Sequence, residues 1–178
     1  MKLQTIIIVT LLFNTSFSTP LLFGAEYQNI TLPKTEYSDK ASEELLIAAE
    51  KGNIGEANAL LAKGANPNLQ NKDGNTPLHL ATVKGYNKVL STLFENGANP
   101  NMQNKYGNVP LHFAVINEQT FSVNLFIKYG ANLSIQNYSG VTPLEKAKQR
   151  LLKDIVRILE EAMIINLKPA KNKGKATS

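Results

Sequence analysis

Two short apolar patterns alternate along the middle of the chain. In "NTPLHLATVKG" Leu78 and Ala81 lie three apart, on one face of a helix. In "NKVLSTLFENG" Val89, Leu90, Leu93 and Phe94 again fall at helical spacing. The polar residues between them supply starts and stops. Thr76 is a good N-cap, and Pro77 suits the first helical position, where its missing N–H costs nothing. Gly85 can take a left-handed conformation and end the first helix; Gly97 ends the second in the same way. "NPNMQNKYGN" then reads as an extended connection and turn, and Pro110 restarts the cycle. The predicted unit is helix, turn, helix and a turn-rich loop.

The unit recurs every 33 residues: Gly74, Gly107 and Gly140; Gly64, Gly97 and Gly130; Pro77, Pro110 and Pro143; and Ala48, Ala81, Ala114 and Ala147. "KGANPNLQN", "NGANPNMQN" and "YGANLSIQN" are three copies of one junction. The repeating apolar faces are expected to consist of Leu78, Ala81, Val89, Leu93, Leu111, Ala114 and Leu125. Departures from the period predict local distortion. Glu118 and Leu151 stand where the helix-ending glycine belongs, so "INEQT" and "KAKQRLLKDI" are expected to turn differently, with Asn117 taking the left-handed position in the first. Val109 replaces the capping threonine, which weakens that helix start by about 1 kcal/mol. Beyond Ala162, "MIINL" adds apolar residues to cover the end of the array.

The termini have a different character. "MKLQTIIIVTLLF" pairs an early lysine with an apolar run of signal-peptide length, shorter than the roughly 20 residues of a membrane span. Residues 1–25 are read as a signal peptide, with cleavage after Ala25 or Ser18; retention as an anchor is the alternative. Residues 26–40 show no sustained period and contain Pro33, and are expected to be a linker or arm. The chain's net charge is +5, yet residues 39–162 hold 13 Lys/Arg against 12 Asp/Glu. Much of the basicity therefore lies in the tail, residues 166–178, where "KPAKNKGKATS" has lysines and no acids. That tail offers contact with acidic lipid or nucleic acid, but its simpler reading is a solvated, flexible end.

Candidate chemistry is sparse. The chain has no cysteine, which excludes disulfides, thiolate metal sites and cysteine catalysis. Its two histidines, His79 and His112, lie 33 residues apart in "TPLHLA" and "VPLHFA". A catalytic triad needs a histidine placed by an acid and facing a nucleophile, and a zinc site needs three or four converging ligands. A histidine repeated with the array meets neither requirement. Asn29-Ile30-Thr31 and Asn137-Tyr138-Ser139 have N-glycosylation spacing, a pattern common by chance.

"DGNTPLHLATVKGYNKVLSTLFENGANPN" (73–101) resembles the ankyrin repeat closely, and "YGNVPLHFAV" with "LFIKYGAN" is a second good copy. "SEELLIAAEKGNIGEANALLAKGANPN" (42–68) is similar to a first repeat lacking the Thr-Pro-x-His motif, and "SGVTPLEKAKQRLLKDIVRILEEA" (139–162) to a final one. The resemblance implies an all-α solenoid of about four helix-turn-helix repeats with hairpin-like loops, spanning residues 41–165. The repeats fall at about 41–71, 72–104, 105–137 and 138–162. It implies an elongated stack whose loops and inner helices form a concave face. It also implies that His79 and His112 are structural, tying neighbouring repeats, with Leu46 and Glu145 in their place in the end repeats.

The implied function is non-catalytic protein binding, with no cofactor, no metal and no small-molecule substrate. A protein partner is expected on the loop tips and inner-helix ends: Lys72, Asp73, Asn75, Val83 and Lys84; Lys105, Tyr106, Asn108, Ile116 and Asn117; Tyr138, Ser139, Val141, Gln149 and Arg150. Tyr106 and Tyr138 are the favoured anchors, since tyrosine joins apolar area to a polar tip. With the signal, this predicts a bacterial protein exported to the periplasm or secreted. An exported accessory that protects or assembles an envelope enzyme is the alternative. Nucleic acid is not indicated for the folded body, and membrane contact is confined to an uncleaved N-terminus or the lysine tail.

Overall fold

A computed structural model describes residues 36–167. The expected signal peptide, the first part of the expected linker and the tail from Lys168 onward lie outside the described residues, as does the Asn29 glycosylation pattern. Eight helices occur among the described residues, and no strand: α1 (Glu36–Lys51), α2 (Ile54–Ala62), α3 (Pro77–Lys84), α4 (Asn87–Glu95), α5 (Pro110–Ile116), α6 (Thr120–Lys128), α7 (Pro143–Gln149) and α8 (Lys153–Leu167). They pair as α1–α2, α3–α4, α5–α6 and α7–α8. The leading helices α1, α3, α5 and α7 pack in succession, and so do the trailing helices α2, α4, α6 and α8.

The period explains the packing. Ala48, Ala81, Ala114 and Ala147 are all fully buried, one per leading helix. A methyl group there lets neighbouring helices approach closely, and any larger side chain would overpack the seam. Leu45, Leu78 and Leu111 repeat beside them, also fully buried, while Leu144 in the last pair is only partly covered. On the trailing helices Leu93, Phe126 and Leu159 are fully buried. Phe94 meets Phe126 edge-on at 5.3 Å and stacks on Tyr129 at 4.4 Å. The core residues expected from the period, Leu78 through Leu125, are buried.

Three local expectations need correction. Residues 36–40, expected to be linker, form the first turn of α1. Ala41 and Leu45, four apart, are both buried, so the packed face of α1 begins in its second turn. The turns at Glu118 and Leu151 do not deviate: Glu118 (φ 57°) and Leu151 (φ 60°) adopt the left-handed conformation of Gly52 (72°) and Gly85 (74°). Asn117 stays right-handed at φ −93°. Packing of each helix pair fixes the turn's path, so a residue with a Cβ is forced into it at about 1–2 kcal/mol. Finally, Met163 packs on the core, but Ile164 and Ile165 are exposed, so "MIINL" covers the end only in part.

Candidate interaction surface

The histidines sit at the root of the loops. Thr76 caps α3, and the Nδ1 atom of His79 accepts the Thr76 backbone N–H at 3.1 Å. With Nδ1 an acceptor, the ring proton belongs on Nε2, which donates to the Asn108 carbonyl of the next repeat at 3.0 Å. His112 repeats the device: Nδ1 accepts from Val109 N–H at 3.2 Å, and Nε2 donates to the Val141 carbonyl at 2.9 Å. Val109 has no oxygen to cap the helix, so only the ring's half of the reciprocal pair remains. Burial pushes the His79 pKa down to about 4 and lowers that of His112 as well. Both rings are neutral at physiological pH with each nitrogen engaged, which leaves none for a metal or a reacting proton.

The last repeat substitutes a carboxylate. Glu145 accepts the Thr142 N–H at 2.7 Å and the Thr142 hydroxyl at 2.9 Å, and returns its own N–H to that hydroxyl. The Thr142 backbone and hydroxyl bonds hold Glu145 below the usual carboxylate range.

The repeated junctions build a polar ladder between loops. Asn71 Oδ1 accepts the N–H groups of Asp73 and Asn75, as Asn104 does for Tyr106 and Asn108, and Asn137 for Ser139 and Val141. The Asn104 amide reaches back to Asn75 Oδ1 at 2.9 Å, and Asn137 to Asn108 Oδ1 at 3.0 Å. Gln70 donates to Gln103 O and Gln103 to Gln136 O, both at 2.9 Å. One backbone bond joins each pair of tips, Lys105 N–H to Asp73 O and Tyr138 N–H to Tyr106 O. These bonds were not foreseen, although the three copies of the junction contained the signal. They also occupy the Asn137 amide of the second glycosylation pattern.

Against this framework the expected surface residues separate into two groups. Lys72, Asp73, Lys84, Lys105, Asn117, Ser139 and Arg150 are exposed, and Tyr106 and Tyr138 are 68% and 74% exposed. Asp73 pairs with Lys105 at 3.7 Å, Arg150 with Glu118 at 3.0 Å, and the Asn117 amide donates to Val83 O at 3.2 Å. Asn75 and Asn108 are different: half-buried, with side-chain oxygens used by the following loop, they belong to the framework rather than the free surface. The Tyr138 ring is seated over Gly107, where a Cβ would come within 2.5 Å of it. Leu80 and Phe113, partly exposed on the leading helices, were missed; they sit three residues before Val83 and Ile116, one repeat apart.

Among the described residues no cluster of three or more His, Asp and Glu side chains is gathered to hold a metal. No curated protein matched the sequence. A family model described as ankyrin repeats (3 copies) matches residues 19–104, 45–137 and 84–169. Those matches overlap across the array that the histidines and the asparagine ladder hold together, and the chain belongs to the ankyrin repeat family, whose repeats are protein–protein interaction modules.

Proposed function

We propose that this chain is an exported, non-catalytic module that binds a protein partner across its loop tips and leading helices. The observation that carries the reading is the pair of exposed tyrosines on adjacent tips. The Tyr106 N–H is bound to Asn104 Oδ1 and its carbonyl to Tyr138, while the Tyr138 ring rests on Gly107. The Tyr138 ring buries aromatic area in a partner with little ordering left to do, and Tyr106 stands on a backbone already fixed by its neighbours. The non-catalytic part is supported by histidines whose nitrogens are consumed structurally. Export is supported by "MKLQTIIIVTLLF" followed by small residues.

The test has two parts. Mass spectrometry of the protein from its native cell should show loss of about the first 18 or 25 residues, a length consistent with signal peptides; an intact Met1 in the cytosolic fraction contradicts export. Mature protein is then used to capture partners from periplasm and from host lysate. In calorimetric titration with a captured partner, the Tyr106→Ala, Tyr138→Ala double variant should lose about 2 kcal/mol or more of affinity. Unchanged affinity with unchanged circular dichroism moves the site elsewhere.

A further inference from the structure

We propose that the loop-tip and leading-helix face of repeats two to four takes an acidic amphipathic helix from its partner. The partner's apolar side chains lie on Leu80, Val83, Phe113 and Ile116, and its carboxylates meet Lys72, Lys84 and Lys146. The inference rests on reading this face as a binding surface and names the chemistry of what it binds.

The apolar half follows from register. Leu78 and Ala81 turn into the core; Leu80 and Val83, three apart on α3, do not, and Val83 is exposed. Phe113 and Ile116 repeat them on α5, partly exposed, with the Phe113 ring edge-on to His79 at 6.0 Å. The same two positions on α7 are Lys146 and Gln149, so the stripe ends on a cation. Neighbouring packed helices lie roughly 8–10 Å apart. A partner helix crossing them presents residues i and i+7 about 10 Å apart. Its i, i+3 and i+7, i+10 side chains therefore match the two pairs on α3 and α5.

The charged half follows from which groups are already spent. On this face of repeats two to four Asp73 is paired with Lys105 and Glu118 with Arg150, and Glu145 is hydrogen-bonded to Thr142; beyond them Glu50, exposed at the Val83 position of α1, carries no ion pair and bounds the stripe at the first repeat. Lys72, Lys84 and Lys146 have no carboxylate within ion-pair distance among the described residues. The trailing helices lack this bias, for Glu95 and Asp154 there carry no ion pair. With Lys72, Lys84 and Lys146 unpaired against one carboxylate outside any ion pair, Glu145, the stripe of repeats two to four selects an apolar partner with negative flanks. Charge complementarity of that kind sets choice and encounter rate more than depth of affinity.

A random peptide library displayed on phage, panned at low salt on the immobilised full-length chain, tests this. Enriched peptides should combine leucine or phenylalanine at helical spacing with flanking Asp and Glu. A labelled representative, titrated by fluorescence anisotropy, should bind at least about tenfold more weakly to Lys84→Glu, Lys146→Glu and to Val83→Ser, Ile116→Ser, and more weakly at high salt. Lys88→Glu, Lys128→Glu on the trailing helices should leave binding unchanged, with circular dichroism confirming that each variant is folded. Failure to enrich any peptide overturns the proposal, as does enrichment of neutral or basic peptides. If such peptides still lose affinity for the Tyr106→Ala, Tyr138→Ala variant, the binding face stands and only the acidic partner falls; if they are indifferent to it, both fall. A labelled DNA duplex bound as tightly as the selected peptide, and lost on Lys84→Glu, Lys146→Glu, reassigns the cations to a polyanion and overturns the proposal.

Discussion

The middle repeats and the last repeat solve one problem with different residues. In repeats two and three the third helical residue is a fully buried histidine that caps its own helix and also bonds the next loop. In repeat four it is Glu145, exposed, bonded only to Thr142. Local capping recurs in repeats two to four, where the leading helix starts at the repeat's proline; a second hydrogen-bonding end is needed only where another repeat follows. Neighbouring positions change in step. Lys148 occupies the place of the buried Thr82 and Val115, and it pairs at 2.8 Å with Glu160, which occupies the place of the buried Phe94. At the other end, the Ser42 hydroxyl accepts the Asn66 N–H at 2.8 Å, doing for the first repeat what Asn68 and Asn101 do for those after it. The difference teaches that each end of the array is a repeat whose inter-repeat groups have been replaced by self-sufficient ones, as solubility of a stack requires.

The sharpest way to break this comparison is truncation at the two kinds of site. His79→Ala or His112→Ala leaves a buried N–H and a loop carbonyl unpaired beside a cavity, and each should cost about 3 kcal/mol by urea denaturation. Glu145→Ala should cost much less, since water replaces the carboxylate. Equal losses at His112 and Glu145 would remove the distinction. A purified activity lost in a histidine variant with an unchanged melting curve would instead make the ring chemical.

Acid probes the same contrast. His79 takes up its proton at about pH 6.5 when unfolded and only near 4 when folded. The unfolded state therefore binds more protons between those values, and stability falls as pH falls through that window, by about 3 kcal/mol, with the loss complete below about pH 4. His112 contributes in the same direction. The pH dependence of the urea midpoint should flatten in His79→Ala; an unaltered slope would mean that the ring is not held neutral.

Smaller effects sharpen the comparison within repeats. Val109→Thr restores the missing oxygen at the start of α5 and should add about 1 kcal/mol, making repeat three resemble repeat two. Its Cβ neighbourhood is buried, so a loss there would show that the added hydroxyl finds no donor. Leu151→Gly removes a Cβ from the left-handed region at a side chain that is 82% exposed, and should gain about 0.5–1 kcal/mol in thermal unfolding. Glu118→Gly should gain less, because it also forfeits the Arg150 ion pair.

Much of this molecule was legible along the chain, because a repeat turns three-dimensional contact into one-dimensional period. A residue that packs against its own counterpart must recur at one interval, so the helices, their proline starts, the glycine turns and the alanine seam were all readable without coordinates. The exposed loop tips were readable for the same reason: positions free of the period are free of the interface. Where a residue departed from the period, its identity was a poor guide. Glu118 and Leu151 predicted altered turns, yet local preference worth about 1–2 kcal/mol yielded to the helix packing on either side. What only the tertiary structure decided is which polar groups are spent. Asn75 and Asn108 look like loop-tip contacts in sequence, but their partners lie 29 residues onward, and nothing local distinguishes an amide facing solvent from one bonded to the next loop. The cations left unpaired around the Leu80–Ile116 stripe emerge only after those bonds and ion pairs are assigned, because charge balance on a face depends on distances that the order of residues does not contain.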